Sequence, residues 1–142
     1  MKWIKPYKLF ESSDERKEIL ENIEDIFIPI IDYNLVYKIG QDPGTPSIFK
    51  KDDKDDRRIL IDINNKEYSE FNINHIQNEI LHLLRYANSI GMPISLDVEV
   101  DRYAGSYDRL RIKEYKDSKF ISTEGEVLEQ VRHISIRLHP RN

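Results

Sequence analysis

The chain has 142 residues, 39% of them hydrophobic and 34% charged, with a formal net charge of −4. That is the size and composition of one globular domain, able to bury a core without a covalent staple. Cysteine is absent, which excludes disulfides, thiolate metal sites and a cysteine nucleophile. The longest nearly apolar run, Ile26 to Ile31, is interrupted by Pro29 and falls far short of the ~20 residues that a membrane span needs. A negative chain with both signs interspersed does not suit a general nucleic-acid binder.

Isoleucine occurs 21 times and alanine twice, a bias that favours strands because β-branched side chains suit a pleated, half-buried surface. The first eleven residues, MKWIKPYKLFE, stand apart: Lys2, Lys5 and Lys8 interleave with Trp3, Tyr7 and Phe10 around Pro6. They lack the apolar core and small-residue cleavage site of a secretory signal. Residues 1–11 are therefore expected to form an arm or leader, and residues 12–142 a single domain.

Ser12 and Glu15 fit a capping box, in which two side chains satisfy orphan amides reciprocally. Ile19, Leu20, Ile23, Ile26, Phe27 and Ile30 follow at helical spacing, and Pro29 predicts an end at Ile28. Two strand candidates come next: Leu35, Tyr37 and Ile39 alternate with Val36 and Lys38, and Ile59, Ile61 and Ile63 with Leu60 and Asp62. Residues 40–58 between them hold two glycines, two prolines and the run DDKDD, which predicts a long solvated loop. That run lacks the spacing of a calcium loop.

Asn74 and Gln77 are read as the cap of a second helix whose apolar stripe is Ile76, Ile80, Leu83, Leu84 and Ala87. Gly91 fits the position after its last turn, and Pro93 blocks continuation. Ile94, Leu96, Val98 and Val100 then alternate with Ser95, Asp97, Glu99 and Asp101, the clearest one-face-buried strand in the chain. Residues 103–108 predict a turn, Leu110 and Ile112 a returning strand, and residues 131–138 a last strand. The expected fold class is α+β: a two-layer sandwich, two helices on one face of a mainly antiparallel sheet of four to five strands.

Three constellations could carry chemistry. Strand alternation aims His133, Ser135, Arg137 and His139 to one side, opposite Ile134, Ile136 and Leu138. His133-Ile134-Ser135 resembles one half of the paired H-x-S/T signature of two-histidine phosphodiesterases, in which one imidazole activates the nucleophile and the other protonates the leaving group. A second copy is not found, since His75 and His82 are followed by different residues in a predicted helix. The competing reading is the polar outer side of a terminal strand. His75, Glu79 and His82 share one helical flank at i, i+4 and i+7, donors that would suit zinc or serve as partly buried structural histidines. Asp97, Glu99 and Asp101 line one strand side, with Arg109, Arg111 and Lys113 expected across from them. Cross-strand ion pairing on a solvated face is the simpler account, and such a flat, charged surface would also suit interaction. There is no phosphate-cradling glycine loop, nucleophile elbow or H-E-x-x-H helix, and no pattern calls for a cofactor.

Lys8-Leu9-Phe10-Glu11-Ser12 resembles the opening of many small tailed-bacteriophage proteins, which begin with a Lys-rich aromatic stretch ending in K-L-F-E-S or F-N-E-S. It also resembles the head-targeting peptides of phages that mature their capsids with a prohead protease. The resemblance implies processing between Glu11 and Ser12, with Trp3, Lys5, Lys8 and Phe10 docking the leader on an acidic scaffold. The expectation is a non-enzymatic accessory protein acting by protein binding in the virion or the host cytoplasm, as packaged cargo or as an inhibitor of a host protein. An acidic body favours a basic host protein or a phage head component as partner. The alternatives are a phosphodiesterase using His133 and Ser135, and a structural virion subunit with an ordered N-terminal arm.

Overall fold

The structure, a computed structural model, describes residues 15–42 and 58–140. The leader residues Trp3, Lys5, Lys8, Phe10, Glu11 and Ser12, and the DDKDD run, lie outside these residues. Helix α1 (Arg16–Phe27) buries Ile19, Ile23, Ile26 and Phe27. It stops one residue before the expected point, but the chain does not leave the helical region. Ile28–Tyr33 continues as a 3-10 turn with Pro29 near its start, where a missing N–H costs nothing and the fixed φ is already suitable. Asn34 ends it in the left-handed region at φ 62°, which its short polar side chain tolerates.

Strands β1 (Leu35–Asp42) and β2 (Arg58–Asn65) pair antiparallel over their full length. A two-residue strand β3 (Phe71–Asn72) leads to a 3-10 turn, Ile73–Ile76, and then to helix α2 (Gln77–Ser89). The cap differs from the sequence expectation. Asn72, not Asn74, accepts a hydrogen bond at 2.8 Å, and the donor is the Asn74 amide. Asn72 has the extended backbone that a cap needs, whereas Asn74 is already inside the turn. Gly91 at φ 75° ends the helical segment as expected.

Strand β4 (Ile94–Asp101) pairs with β5 (Tyr107–Lys116) across the turn Tyr103–Gly105. Next come β6 (Lys119–Ser122), β7 (Val127–Leu128), β8 (Gln130–Val131) and β9 (His133–Leu138). The main sheet runs β1-β2-β9-β4-β5-β6-β7, every neighbour antiparallel, and β3 pairs with β8 separately. Seven strands replace the four to five expected, because β6 and β7 are too short to display alternation. The α+β class stands.

Ile59, Ile61 and Ile63 of β2, Leu96, Val98 and Val100 of β4, and Ile134, Ile136 and Leu138 of β9 form one buried cluster with the inner residues of both helices. Phe27 of α1 lies 6.1 Å, ring to ring, from Tyr37 of β1. On the other side, the Tyr115 hydroxyl of β5 donates to Gln77 of α2 at 2.9 Å. A register shift between Ile112 and Glu114 is what turns Tyr115 inward, since one extra residue exchanges the faces of a strand.

Candidate functional site

The strand alternation that buries isoleucines inward sends a set of polar side chains outward on β2, β9, β4 and β5. The ladder puts Asp62 beside Ser135, Ser135 beside Asp97 and Asp97 beside Arg111. One pair further along, Asn64, His133, Glu99 and Arg109 form the next row. These rows cross four strands, so the positions of their side chains are set by backbone pairing.

Within the rows the charges engage one another. His133 has Nε2 2.9 Å from Asp62 Oδ1 and Nδ1 3.9 Å from Glu99 Oε2, so both ring nitrogens face carboxylates. Arg111 Nε donates to Asp97 at 2.5 Å, and Arg137 Nη1 lies 3.6 Å from the other oxygen of the same carboxylate. The Asp97 side chain is only 10% exposed, which explains why it holds two cations. Arg132 binds Asp101 through Nε and Nη2, both at 2.7 Å, and gives Nη1 to the Tyr68 carbonyl. At the rim, Arg102 joins Asp108 and Glu126.

Proton affinities follow from these bonds. The Arg132 guanidinium holds the Asp101 carboxyl below the usual carboxylate range, chiefly through its hydrogen bonds. In return the Arg132 guanidinium is stabilised as a cation, as is Arg111 by Asp97. Arg102 is raised by its bonds to Glu126 and then Asp108.

The acidic strand side predicted from sequence is therefore present, with Arg111 and Arg109 opposite Asp97 and Glu99. Asp101 differs: it faces Tyr107 in the ladder and takes its cation from Arg132 instead. His133 and Ser135 share a side as expected, but no other histidine comes to them. His139 lies six residues along, about 20 Å at ~3.3 Å per residue, with Nε2 3.2 Å from Ser95 Oγ. His75 and His82 belong to the helical layer across the sheet. The proposed helical flank is also divided. His75 sits in the 3-10 turn before α2 and stacks on Tyr33 at 5.5 Å, whereas Glu79 and His82 line a groove facing α1. Among the described residues no group of three or more His, Asp or Glu side chains is placed to hold a metal ion.

Asp62 and Arg132 belong to none of the constellations that the sequence suggests. For Asp62 a signal existed, because it alternates with Ile61 and Ile63 and must face outward with His133. No protein-family model, curated protein or solved structure matches the chain. Among the described residues no helix is long and apolar enough to cross a membrane.

Proposed function

We propose that the chain is a non-enzymatic accessory protein of the tailed-phage type, acting by binding another protein. Residues 1–11 serve as a basic, aromatic arm, and the body that follows makes the contact. The observation that carries this reading is the mutual engagement of the outer-face charges. His133 bridges toward Asp62 and Glu99, Asp97 toward Arg111 and Arg137, and Asp101 toward Arg132. Side chains committed to each other stiffen a surface, and a stiff charged surface gives a partner its orientation and specificity. Tyr68, Tyr103 and Tyr107 are exposed near one end of the sheet, and tyrosine supplies contact area at little entropic cost.

The net charge of −4 supports a basic partner. The resemblance of Lys8-Leu9-Phe10-Glu11-Ser12 to phage leaders supports a setting in the virion or the host cytoplasm, as packaged cargo or as an inhibitor of a host protein. Lysine-reactive cross-linking in expressing cells, followed by affinity capture and mass spectrometry, tests the reading. The expected result is a reproducible cross-link between the body and a basic protein. Capture of nothing above background, from infected and uninfected cells alike, overturns it. Virion protein analysis tests the leader: a mature species starting at Ser12 is expected, and one starting at Met1 removes the processing step.

A further inference from the structure

The outward side of α1 carries acids of a different kind from those of the sheet. Asp97, Asp101 and Glu126 each hold an arginine. Glu18, Glu21, Glu24 and Asp25 are exposed on α1, and none of them is in an ion pair with another described residue. Their charge is felt at Tyr37 of β1, where burial first, and then Glu24 and Asp25, keep the proton on the phenol. Glu21, Glu24 and Ile28 recur at i, i+3 and i+7, so they lie along one helical stripe. At its end Ile28 is 52% exposed and Ile31 51%. An uncompensated acidic run that leads into exposed isoleucines suits a segment that is both basic and apolar.

The first eleven residues of this chain have that chemistry. Lys2, Lys5 and Lys8 interleave with Trp3, Tyr7 and Phe10, against the single acid Glu11. They also join the body at the right place, because α1 begins at Arg16. From Arg16 to Ile28 the helix rises about 18 Å at ~1.5 Å per residue, whereas residues 1–14 span up to about 46 Å when extended. Tethering gives an intramolecular contact an effective concentration on the order of millimolar, so weak contacts suffice. We infer that the outward side of α1, from Glu18 to Ile31, is the docking site of the chain's own leader. Lys5 and Lys8 meet the unpaired acids, and Trp3 covers Ile28 and Ile31. This goes beyond the protein-binding reading and does not depend on cleavage after Glu11: while the leader is attached, it withholds this face from any other partner.

The chain has no cysteine, so Ile4→Cys gives the full chain one site for a nitroxide label. Enhanced amide relaxation is expected at Glu24, Ile28 and Ile31, and none at Tyr107 or Arg109 on the sheet. The triple variant Glu21→Gln, Glu24→Gln, Asp25→Asn is expected to lose most of that enhancement, and so is the parent in about 1 M salt. The triple variant should melt no lower than the parent, because all three groups are exposed. No enhancement along α1, enhancement centred on the sheet, or an undiminished effect in the triple variant would overturn the inference. Mixing spin-labelled chains with isotope-labelled chains that lack the nitroxide separates the two sources of leader. Enhancement in that mixture would assign the surface to the leader of a second copy and overturn the inference as well. The protein-binding reading stands or falls by its cross-links, whichever result is found.

Discussion

Arg132 grips Asp101 with two bonds of 2.7 Å and spends its remaining nitrogen on the Tyr68 carbonyl, tying the end of β4 to the turn after β2. Each of the three points belongs to a different stretch of chain, and Tyr68 itself sits at φ 58°. The guanidinium thus fixes a turn that its own backbone geometry does not favour.

That pairing makes stability depend on pH in a stated direction. The folded Asp101 carboxyl ionises below its ordinary value of 3.8, so in the interval between the two values the unfolded chain binds more protons. Its stabilising contribution is complete above pH 3.8 and disappears as the pH falls through the folded value. Urea melts of the parent and Asp101→Asn are expected to differ at pH 7 and to converge in strong acid. A constant difference at every pH would rule this out.

Tyr37 titrates the other way. Burial, and then the charges of Glu24 and Asp25, hold its phenol above the ordinary value of 10.0. The folded state therefore keeps a proton that the unfolded chain loses, so this contribution is complete below pH 10.0 and is lost as the pH rises through the folded value. Phenolate absorbance, compared with Tyr37→Phe, is expected to show one tyrosine ionising late. Most of the delay should survive Glu24→Gln with Asp25→Asn, since burial is the larger cause.

Asp97 is the least exposed acid of the outer face and holds Arg111 and Arg137 together. Asp97→Ala is expected to cost about 2 kcal/mol, the usual loss for charge-assisted hydrogen bonds with one partner partly solvated. Asp97→Asn should cost less, because its amide oxygen still accepts from Arg111. Chemical denaturation of the two variants measures both values.

Ile136 is fully buried in β9, an interior strand of the sheet, whereas Val127 on the short edge strand β7 is 52% exposed. Truncating Ile136 to alanine is expected to cost about 2–5 kcal/mol through lost transfer energy and the cavity left behind. Val127→Ala should stay within about 0.5 kcal/mol of the parent. Near-equal effects would mean that β9 is not the centre of the core.

Much of this molecule was legible from periodicity. The alternation of Leu96, Val98 and Val100 with Asp97, Glu99 and Asp101 gave both β4 and its charged side, and Leu110 with Ile112 gave the strand that pairs with it. The stripes of α1 and α2 were equally plain. What escaped was too short or too contextual to leave a pattern. Strands β3, β7 and β8 have two residues each. The β5–β6 turn is made by Asp117 and Ser118, both at positive φ, without the Asn-Gly or Asp-Gly pair that announces such turns. Asp101 looked like a partner for the strand opposite and instead took Arg132, because its ladder neighbour is Tyr107. The groove left no motif, since it is made by two helices about fifty residues apart in the chain, joined at Asn22 and Tyr86.

The position of β9 has a further consequence. It is the keystone between the β1–β2 hairpin and the β4–β5–β6–β7 meander, which meet in the sheet only through it. Without it the two half-sheets would each present an unpaired inner edge, open to intermolecular pairing. Assembly must therefore wait on contacts distant in sequence, which puts refolding toward the slow, crowding-sensitive end of the range for single domains.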